Sequence, residues 1–314
     1  MKIIEAIKHI EMPIHNAVVA IGNFDGVHIG HQALLQTVVE KAHGIGGTAV
    51  ALTFDPHPMR VVSANEQPPL ITLKEQKAEL IERTGIDVLL QIPFTPEFAS
   101  ISARSFVEEL LIRRIGMKAL VVGNDYTFGR NREGNLRLLR QWAPELNFEV
   151  IVVGWIQAAN GDNERISSTR VRELVMEGRM ADAKKLLGRH YQIRGIVATG
   201  RNRGGRLLGF PTANLNLQDE LSPKEGIYAV TVEHGTEVYQ GVANIGYSPT
   251  FDDHIFTVEV HIMDFQKNIY GETIRVNFIQ RLRDEIKFQT IDALATQIRL
   301  DIDNARQILE RLLP

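Results

Sequence analysis

The sequence contains no cysteine in its 314 residues. Disulfides, thiolate nucleophiles and cysteine metal sites are therefore excluded. A long apolar run is also missing: the N-terminal segment MKIIEAIKHIEMPIH is interrupted by charges, and no later run approaches the roughly 20 apolar residues of a membrane span. From these absences we expect a cytoplasmic protein without a membrane partner.

Neither sign of charge is in excess. The chain has 35 basic and 38 acidic residues, a net charge of −3. Such a balance gives no overall attraction to nucleic acid or to an acidic membrane surface, so we expect no nucleic-acid partner. A GxxxxGK[ST] sequence is also lacking, so any ATP chemistry uses another arrangement. The length allows two domains, and the sequence leaves the oligomeric state open.

The segment 22–31 reads GNFDGVHIGH and follows the apolar run Ala17–Ile21, which predicts a buried strand. Apolar residues at helical spacing after it predict a helix over 27–43, with His28 and His31 in its first turn. Residues three apart on a helix share one face. Because helix N-termini favour anions, we expect the backbone amides and the two imidazoles to bind a phosphate chain.

Short apolar strands then alternate with amphipathic helices. The predicted strands cover 48–54, 88–92, 119–122 and 148–153, and the predicted helices between them cover 73–84 and 102–115. This alternation is typical of an α/β fold with a doubly wound parallel sheet.

Polar residues follow two of these strands at their carboxyl ends, where ligands bind in such sheets. His57 lies in the DPHP segment after 48–54, and the loop after 119–122 contains Asn124, Asp125 and Tyr126. We therefore expect one active site along this edge.

A further helix is predicted from 166 to 187, beginning with the sequence ISSTRVR. The serines at its start are typical helix caps. Arginines in the first turn are repelled by the positive end of the helix dipole unless an anion binds there. Capping and phosphate binding are both open for this segment.

From about residue 189 strands follow one another without helices between them. They are predicted at 191–197, 227–233, 238–245, 256–263 and 273–279. This succession indicates a compact antiparallel sheet or barrel. We place the domain boundary between 186 and 187, giving domains 1–186 and 187–314.

A long amphipathic helix is predicted to close the chain after Thr290. Its expected buried side consists of Ile291, Leu294, Ile298, Ile302, Ala305, Leu309 and Leu312.

The first half of the chain resembles a known family. The tetrad HIGH at 28–31 is similar to the signature of the nucleotidyltransferase superfamily, which includes class I aminoacyl-tRNA synthetases. The longer GNFDGVHIGH resembles, more narrowly, the FMN adenylyltransferase module of bacterial bifunctional FAD synthetases. The resemblance implies a Rossmann-like nucleotidyltransferase domain in which His28 and His31 are catalytic.

It also implies the remaining site residues of that half. The ATP-binding residues would be Gly22, Asn23, Phe24, Asp25, Ser168, Thr169 and Arg172, and the flavin-binding residues would be His57, Asn124, Asp125 and Tyr126. The family often has phenylalanine where Tyr126 stands.

The second half contains GRLLGFPTAN at 205–214, after a glycine-rich stretch that we expect to be a mobile loop. This run resembles the riboflavin kinase signature, which implies a small antiparallel β-barrel of that type. By the same resemblance Thr212 and Asn214 help to hold Mg²⁺, and Glu259 is the catalytic carboxylate that accepts the proton of the riboflavin 5′-hydroxyl. Less specific parts of the resemblance imply that Gly195, Gly209 and Asn244 bind the nucleotide and that Arg283 binds the flavin.

The resemblance therefore implies a bifunctional enzyme that uses Mg²⁺ and ATP. It would phosphorylate riboflavin to FMN and then adenylylate FMN to FAD, releasing pyrophosphate. Two alternatives remain: another HIGH-type nucleotidyl transfer enzyme, similar to a tRNA synthetase, and a flavin-binding sensor without catalysis.

Overall fold

A computed structural model describes residues 1–63, 67–156, 165–198, 209–217, 219–247 and 256–312. The chain divides into two compact units, Met1–Ser168 and Thr169–Pro314. The predicted boundary after residue 186 lies further along the chain and stays a prediction. No helix in the described ranges combines the length and the apolar character needed to cross a membrane.

The first unit is built on a parallel sheet. Its strands are β1 (Lys2–Ile4), β2 (Ala17–Ile21), β3 (Thr48–Asp55), β4 (Val88–Pro93), β5 (Met117–Gly123), a short hairpin of β6 (Thr127–Phe128) and β7 (Gly134–Asn135), and β8 (Glu149–Val153). Six of these strands form one sheet in the order β1-β4-β3-β2-β5-β8, and all neighbours in it are parallel.

Helices lie on both faces of this sheet. They are α1 (Ile29–Gly44), α2 (Met59–Val62), α3 (Lys74–Glu82), α4 (Pro96–Ala99), α5 (Ala103–Ser105), a π-helical segment (Phe106–Ile115) and α6 (Leu136–Leu146). Alternate strand residues feed two separate cores, because successive side chains of a strand point to opposite faces. Val19 and Val50 pack in one core with Leu111, whereas Val18 and Ala49 pack in the other with Leu35. The expected doubly wound sheet is confirmed.

Two predicted helices differ from the structure. The helix expected over 102–115 changes to π-helical geometry at Phe106 and ends at Gly116, which has a φ of 83°. The helix expected from 166 to 187 is two helices, α7 (Ser168–Met176) and α8 (Met180–Leu187). The break contains Gly178 at a φ of 77°, a left-handed conformation that no helix continues through.

The second unit contains a closed antiparallel barrel. Its strands are β9 (Tyr191–Ala198), β10 (Ala213–Asn216), β11 (Gly226–His234), β12 (Glu237–Tyr247), β13 (Phe256–Ile262) and β14 (Thr273–Arg283). Their order is β10-β13-β12-β11-β14-β9, and β9 pairs with β10 to close the ring. The expected barrel is confirmed, and β10 is a strand that the sequence pattern did not predict.

A C-terminal helix, α9 (Ile291–Glu310), packs on the barrel as expected, and its N-cap Thr290 accepts a hydrogen bond from the Ala293 amide. Ala305 and Leu309 are buried against the barrel, but Ile291 and Leu312 are 70% and 51% exposed. Those two positions of the predicted buried side are wrong, because Ile291 is the first residue of the helix and Leu312 lies beyond its last residue, Glu310.

Candidate active sites

The order of the parallel sheet creates a crevice between β2 and β5. From β2 the chain moves outward through β3 to β4, then returns to the other side of β2 to form β5. A parallel sheet binds ligands at such a reversal, beyond the carboxyl ends of its strands. The loop that leaves β2 is the segment 22–28, and the loop that leaves β5 contains Asn124. Both predicted motifs therefore flank the reversal point.

The loop after β2 has an unusual backbone. Phe24 and Val27 have φ angles of 47° and 39°, and Gly26 between them has a φ of 81°. Bulky or β-branched side chains rarely adopt a positive φ, and such strain is concentrated at functional sites. A Cβ on Gly26 would also lie 3.0 Å from Ile71 Cγ2. The loop is thus held in one specific conformation.

Asp25 fixes this conformation from inside. Its side chain is buried, and its carboxylate accepts hydrogen bonds from the backbone amides of Ile71 (3.0 Å) and Thr72 (3.1 Å) and from the Thr72 hydroxyl (3.3 Å). A carboxylate used in this way positions the loop, and it would repel a phosphate. Direct contact between Asp25 and ATP stays a prediction that these hydrogen bonds do not favour.

His28 is the N-cap of α1, so it precedes the helix and does not lie in its first turn as predicted. Its backbone is extended, and its Nδ1 accepts a hydrogen bond from the His31 amide at 3.2 Å. Because Nδ1 is the acceptor, the neutral ring has its proton on Nε2. The cap therefore fixes the tautomer and leaves Nε2–H as a donor.

The two imidazoles lie together, as the spacing predicted, but they are stacked. Their centroids are 3.6 Å apart and their planes differ by 15°. Burial lowers the pKa of His31 well below its usual value, and the nearby charges of His28 and Lys77 lower it further. His31 Nδ1 is buried and has no hydrogen-bond partner in the described residues. His31 is therefore a neutral ring with a polar nitrogen available to a ligand.

Asn23 connects three elements next to the histidines. Its Nδ2 lies 3.1 Å from His57 Nε2, which brings the predicted flavin residue of the DPHP segment to the same loop. Its carbonyl accepts hydrogen bonds from Thr53 Oγ1 (3.1 Å) and from Lys77 Nζ (3.2 Å). Lys77 was not among the predicted site residues, because LKEQKAEL reads as an amphipathic helix with a solvated lysine.

The loop after β5 presents a second group of predicted residues. Asn124 and Asp125 are exposed, and Asp125 pairs with Arg165, whose guanidinium lies 3.8 Å from the centre of the Trp155 ring. Tyr126 stacks on Phe128, at 5.4 Å between centroids, and burial raises its pKa. Arg165 and Trp155 are neighbours of the site that the sequence did not indicate.

Ser168 reaches the first unit's loop. Ser168 is the last residue of that unit, and its Oγ donates to the Asp25 carbonyl at 2.9 Å. Thr169 and Arg172 fall in the second unit, and their predicted contact with ATP phosphates stays a prediction.

The second unit places three predicted residues side by side. Glu259 on β13 lies directly opposite Asn214 on β10 and opposite Asn244 on β12. Directly opposite residues have Cβ atoms about 4.5–5.5 Å apart, so the three side chains form one row on the outer face of the barrel. Val258 and Val260 point inward and are buried, as the alternation predicted.

The row is partly desolvated. Burial raises the pKa of Glu259, and the nearby carboxylate of Glu285 raises it further. Asn214 Nδ2 and Asn244 Oδ1 are buried and make no hydrogen bond within the described part of the chain. Unbonded buried amides beside a carboxylate are costly unless a ligand satisfies them, which is typical of a binding site.

Thr212 lies next to this row. A cavity of about 220 Å³ is lined on one side by Pro211, Thr212 and Ala213 and on the other by residues 265–270. His261 Nδ1 lies 2.9 Å from the Pro211 carbonyl and donates to it, so it anchors the segment that carries Thr212. The cavity therefore opens beside Thr212, one of the two predicted metal residues.

Two other predicted residues, Gly195 and Gly209, lie away from this row. Gly195 belongs to β9, where it pairs with Ile274, within the strand predicted at 191–197. Gly209 has a φ of 81° and open space around its Cα. Most of the expected glycine loop (199–208) and residues 248–251 lie outside the described residues.

Arg283 is held by an ion pair. Its Nε and Nη2 donate to the two carboxylate oxygens of Asp301 on α9, at 2.9 and 2.6 Å, and Asp301 is 4% exposed. The pair fixes the guanidinium, and a flavin contact of Arg283 stays a prediction.

The donor set fits a magnesium ion that arrives with a nucleotide. Within the described ranges no three His, Cys, Asp or Glu side chains are grouped as a metal cage. Mg²⁺ keeps several waters and needs one or two protein oxygens when phosphates also bind it. The Thr212 hydroxyl and the amide oxygen of Asn214 are ligands of the required hardness, whereas the unsatisfied atom of Asn214 is Nδ2, which would donate to a phosphate oxygen.

The chain is similar to known proteins along its whole length. A family model for FAD synthetase matches residues 11–170, and one for riboflavin kinase matches residues 187–309. The bifunctional riboflavin kinase/FMN adenylyltransferase of Listeria monocytogenes is 38% identical over 95% of this chain and 94% of its own, and that of Escherichia coli K12 is 36% identical over 98% and 97%. The chain belongs to this family.

A solved structure agrees in fold. The crystal structure of a chain described as a macrolide-efflux protein from Streptococcus pneumoniae superposes with a TM-score of 0.87, at 34% identity, over 97% of this chain and 98% of its own. The family match confirms the predicted family, and neither a tRNA synthetase nor an inactive sensor is favoured.

Proposed function

We propose that each unit carries one of the two activities for which the family is named, and that both reactions use Mg²⁺ and ATP. The second unit would phosphorylate riboflavin, and the first would adenylylate the resulting FMN. The observation that supports this division most directly is the row of Asn214, Glu259 and Asn244, because it lies in a different unit from the paired histidines.

In the kinase reaction the riboflavin 5′-hydroxyl oxygen attacks the γ-phosphorus of ATP, and ADP leaves with the electron pair of the broken P–O bond. Glu259 orients the hydroxyl and accepts its proton. Bound Mg²⁺, held by Thr212 and Asn214, would supply charge neutralisation for the phosphates. Asn244, Gly195 and Gly209 are assigned to the nucleotide side, where the 220 Å³ cavity beside Thr212 offers space for a nucleoside. Phosphoryl transfer depends mainly on such alignment.

In the adenylylation reaction an oxygen of the FMN phosphate attacks the α-phosphorus of a second ATP, and pyrophosphate leaves. A phosphate monoester dianion needs no general base. His28 Nε2–H and His31 instead donate to phosphate oxygens and stabilise the charge that develops there. Gly22, Asn23, Phe24, Asp25, Ser168, Thr169 and Arg172 are assigned to the ATP side. His57, Asn124, Asp125 and Tyr126 are assigned to the flavin side, and in the second unit Arg283 has that role.

Location and partners follow from this proposal. Riboflavin, FMN and ATP are the partners, and the charge balance offers nothing for nucleic acid. We place the protein in the cytoplasm, where these substrates occur, and the domain boundary after residue 186.

The test is product chromatography after incubation with riboflavin, ATP and MgCl₂. We expect FMN to appear first and FAD after it, and we expect neither when EDTA replaces Mg²⁺. Recovery of unchanged riboflavin would contradict the proposal and favour a flavin sensor. Amino-acid-dependent exchange between ATP and pyrophosphate would instead favour a synthetase.

A further inference from the structure

Lys77 is a half-buried cation to which the proposed reaction assigns no role. It lies on α3, and its Nζ donates to the Asn23 carbonyl at 3.2 Å. That carbonyl already accepts a hydrogen bond from Thr53 Oγ1 at 3.1 Å. An ammonium group has three donors, and this shared carbonyl is the one hydrogen-bond partner that Lys77 has among the described residues.

No carboxylate balances this charge closely. Within the described part of the chain Lys77 has no acidic side chain within 4.0 Å, although Asp25 and Asp55 are near enough to act on it electrostatically. Asp25 is already committed to the amides of Ile71 and Thr72. A partly buried ammonium without an ion-pair partner is unfavourable, and desolvation lowers the pKa of Lys77.

A second unsatisfied group lies beside it. Lys77 contacts the loop at Asn23, and the ring of the next residue, Phe24, lies 5.3 Å from that of His31 between centroids. His31 Nδ1 is buried without a hydrogen-bond partner among the described residues. A positive charge and a free polar nitrogen thus occur together at the start of α1. A polyanion placed there would satisfy both.

We propose that Lys77 binds the polyphosphate of ATP in the adenylylation site, together with His28 and His31. This inference rests on the proposed adenylylation site of the first unit. In the reaction the ammonium would face the β- and γ-phosphates, which gain charge as the bond from Pα to the bridging oxygen breaks. A fixed cation at a leaving group lowers the barrier because that charge develops in the transition state.

A matched control lies on the same helix. The Lys74 side chain is 39% exposed and pairs with Glu5 at 2.7 Å and with Asp55 at 3.8 Å. Its charge is already balanced, so replacing it leaves the site unchanged. Lys77→Met and Lys74→Met each remove one ammonium group from α3. The two variants differ in the environment of the lost group, which is the loop at Asn23 for Lys77 and the carboxylate of Glu5 for Lys74.

The experiment measures FAD formation from supplied FMN and Mg·ATP, and the reverse formation of ATP and FMN from FAD and Mg·pyrophosphate, in the full chain. Riboflavin phosphorylation is measured on the same samples. For Lys77→Met we expect about a 10²-fold loss of kcat/KM in both adenylylation directions. We expect kinase activity within about two-fold of the wild type, and Lys74→Met within about two-fold in every assay.

Lys77→Arg distinguishes phosphate binding from a purely structural role. If the ammonium must be charged, kcat/KM for adenylylation falls as pH rises through the lowered pKa of Lys77. Arginine stays protonated over that range, so the alkaline fall should disappear in Lys77→Arg even if its activity is reduced.

Two results would overturn the role of Lys77: adenylylation by Lys77→Met within about three-fold of the wild type, or an unchanged alkaline fall in Lys77→Arg. If Lys77→Met does not fold, the arginine variant decides. Absence of FAD formation by the wild type would instead refute the proposed function of the first unit.

Discussion

The stacked imidazoles of His28 and His31 are unsuited to two positive charges. Their centroids are 3.6 Å apart, and burial already lowers the pKa of His31. Two neutral rings can still donate to phosphate oxygens, provided that each has its proton on the correct nitrogen. The N-cap hydrogen bond from the His31 amide fixes this for His28, so the start of the helix also determines the chemistry of the site.

We predict that His28→Ala lowers the rate of FAD formation by about 10²–10³, because one preorganised donor is lost. FMN formation should be unchanged, since Glu259 and its neighbours lie in the other unit. His43→Ala, at the exposed end of the same helix, is the matched control and should leave both activities unchanged. Equal loss of both activities in a folded His28→Ala protein would refute the assignment.

The ionisation of Glu259 should determine how the kinase reaction depends on pH. Burial and the negative charge of Glu285 both raise the pKa of Glu259. If Glu259 must be ionised to accept a proton, kinase kcat/KM falls as pH decreases through this raised pKa. Glu285→Gln removes the repulsion, lowers the pKa of Glu259 and should move the acid limb to lower pH.

Glu237→Gln, at an exposed site on β12, is the control and should leave the acid limb in place. A limb that stays fixed, or moves to higher pH, in Glu285→Gln would show that Glu259 is not the titrating group.

Sequence reasoning found those site residues that belong to recognisable motifs, and it missed residues defined by tertiary position. The HIGH tetrad and Glu259 are visible in the chain itself. Lys77 is 54 residues away from Asn23, and the partners of Asp25 are 46 and 47 residues away from it. Nothing local marks such contacts, because a lysine on an amphipathic helix is normally solvated.

At the scale of elements, α9 packs on the barrel mainly through Ala305 and Leu309 near its C-terminal end. Leu309 is 1% exposed and packs with Ala229 and Ile279, whereas Leu300 on the same helix is 51% exposed. We predict that Leu309→Ala lowers the free energy of unfolding of the second unit by about 2–5 kcal/mol.

Leu300→Ala should change that free energy by less than about 0.5 kcal/mol. Both are measured by urea denaturation, with riboflavin kinase activity following the second unit. Similar losses in the two variants would mean that the burial of Leu309 does not stabilise the barrel.

Strands and helices were predictable wherever periodicity was strong, as in β2, whose predicted bounds Ala17–Ile21 match the structure. The pattern was least informative for β10. Its four residues follow Pro211 and include two asparagines, so β propensity does not mark it. The break at Gly178 was missed because apolar residues continue at helical spacing on both sides of it.

At the scale of the molecule, α7 and α8 decide where the chain can be divided. The two family models leave 171–186 unmatched, yet these residues belong to the second compact unit. Helix α8 contacts β9 and β14 through buried residues that include Met180 and Leu186. A fragment that begins after the predicted boundary therefore lacks α8, a helix that packs on the barrel.

We predict that fragments 169–314 and 187–314 both phosphorylate riboflavin at low temperature. The shorter fragment should unfold about 10 °C lower, since each large apolar side chain that loses its burial costs about 1.5–3 kcal/mol. Calorimetry and kinase assays check this. An insoluble or inactive 187–314 would show that the boundary after residue 186 is wrong.

The row of Asn214, Glu259 and Asn244 also predicts how the kinase site responds to changes in chain length. These residues meet because three strands hold one register, and successive residues of a strand point to opposite faces. A single-residue deletion within β13 before Glu259 would place a valine in the row and the carboxylate in the core. Substitutions on the outer face can therefore accumulate, whereas insertions and deletions are confined to the loops between strands.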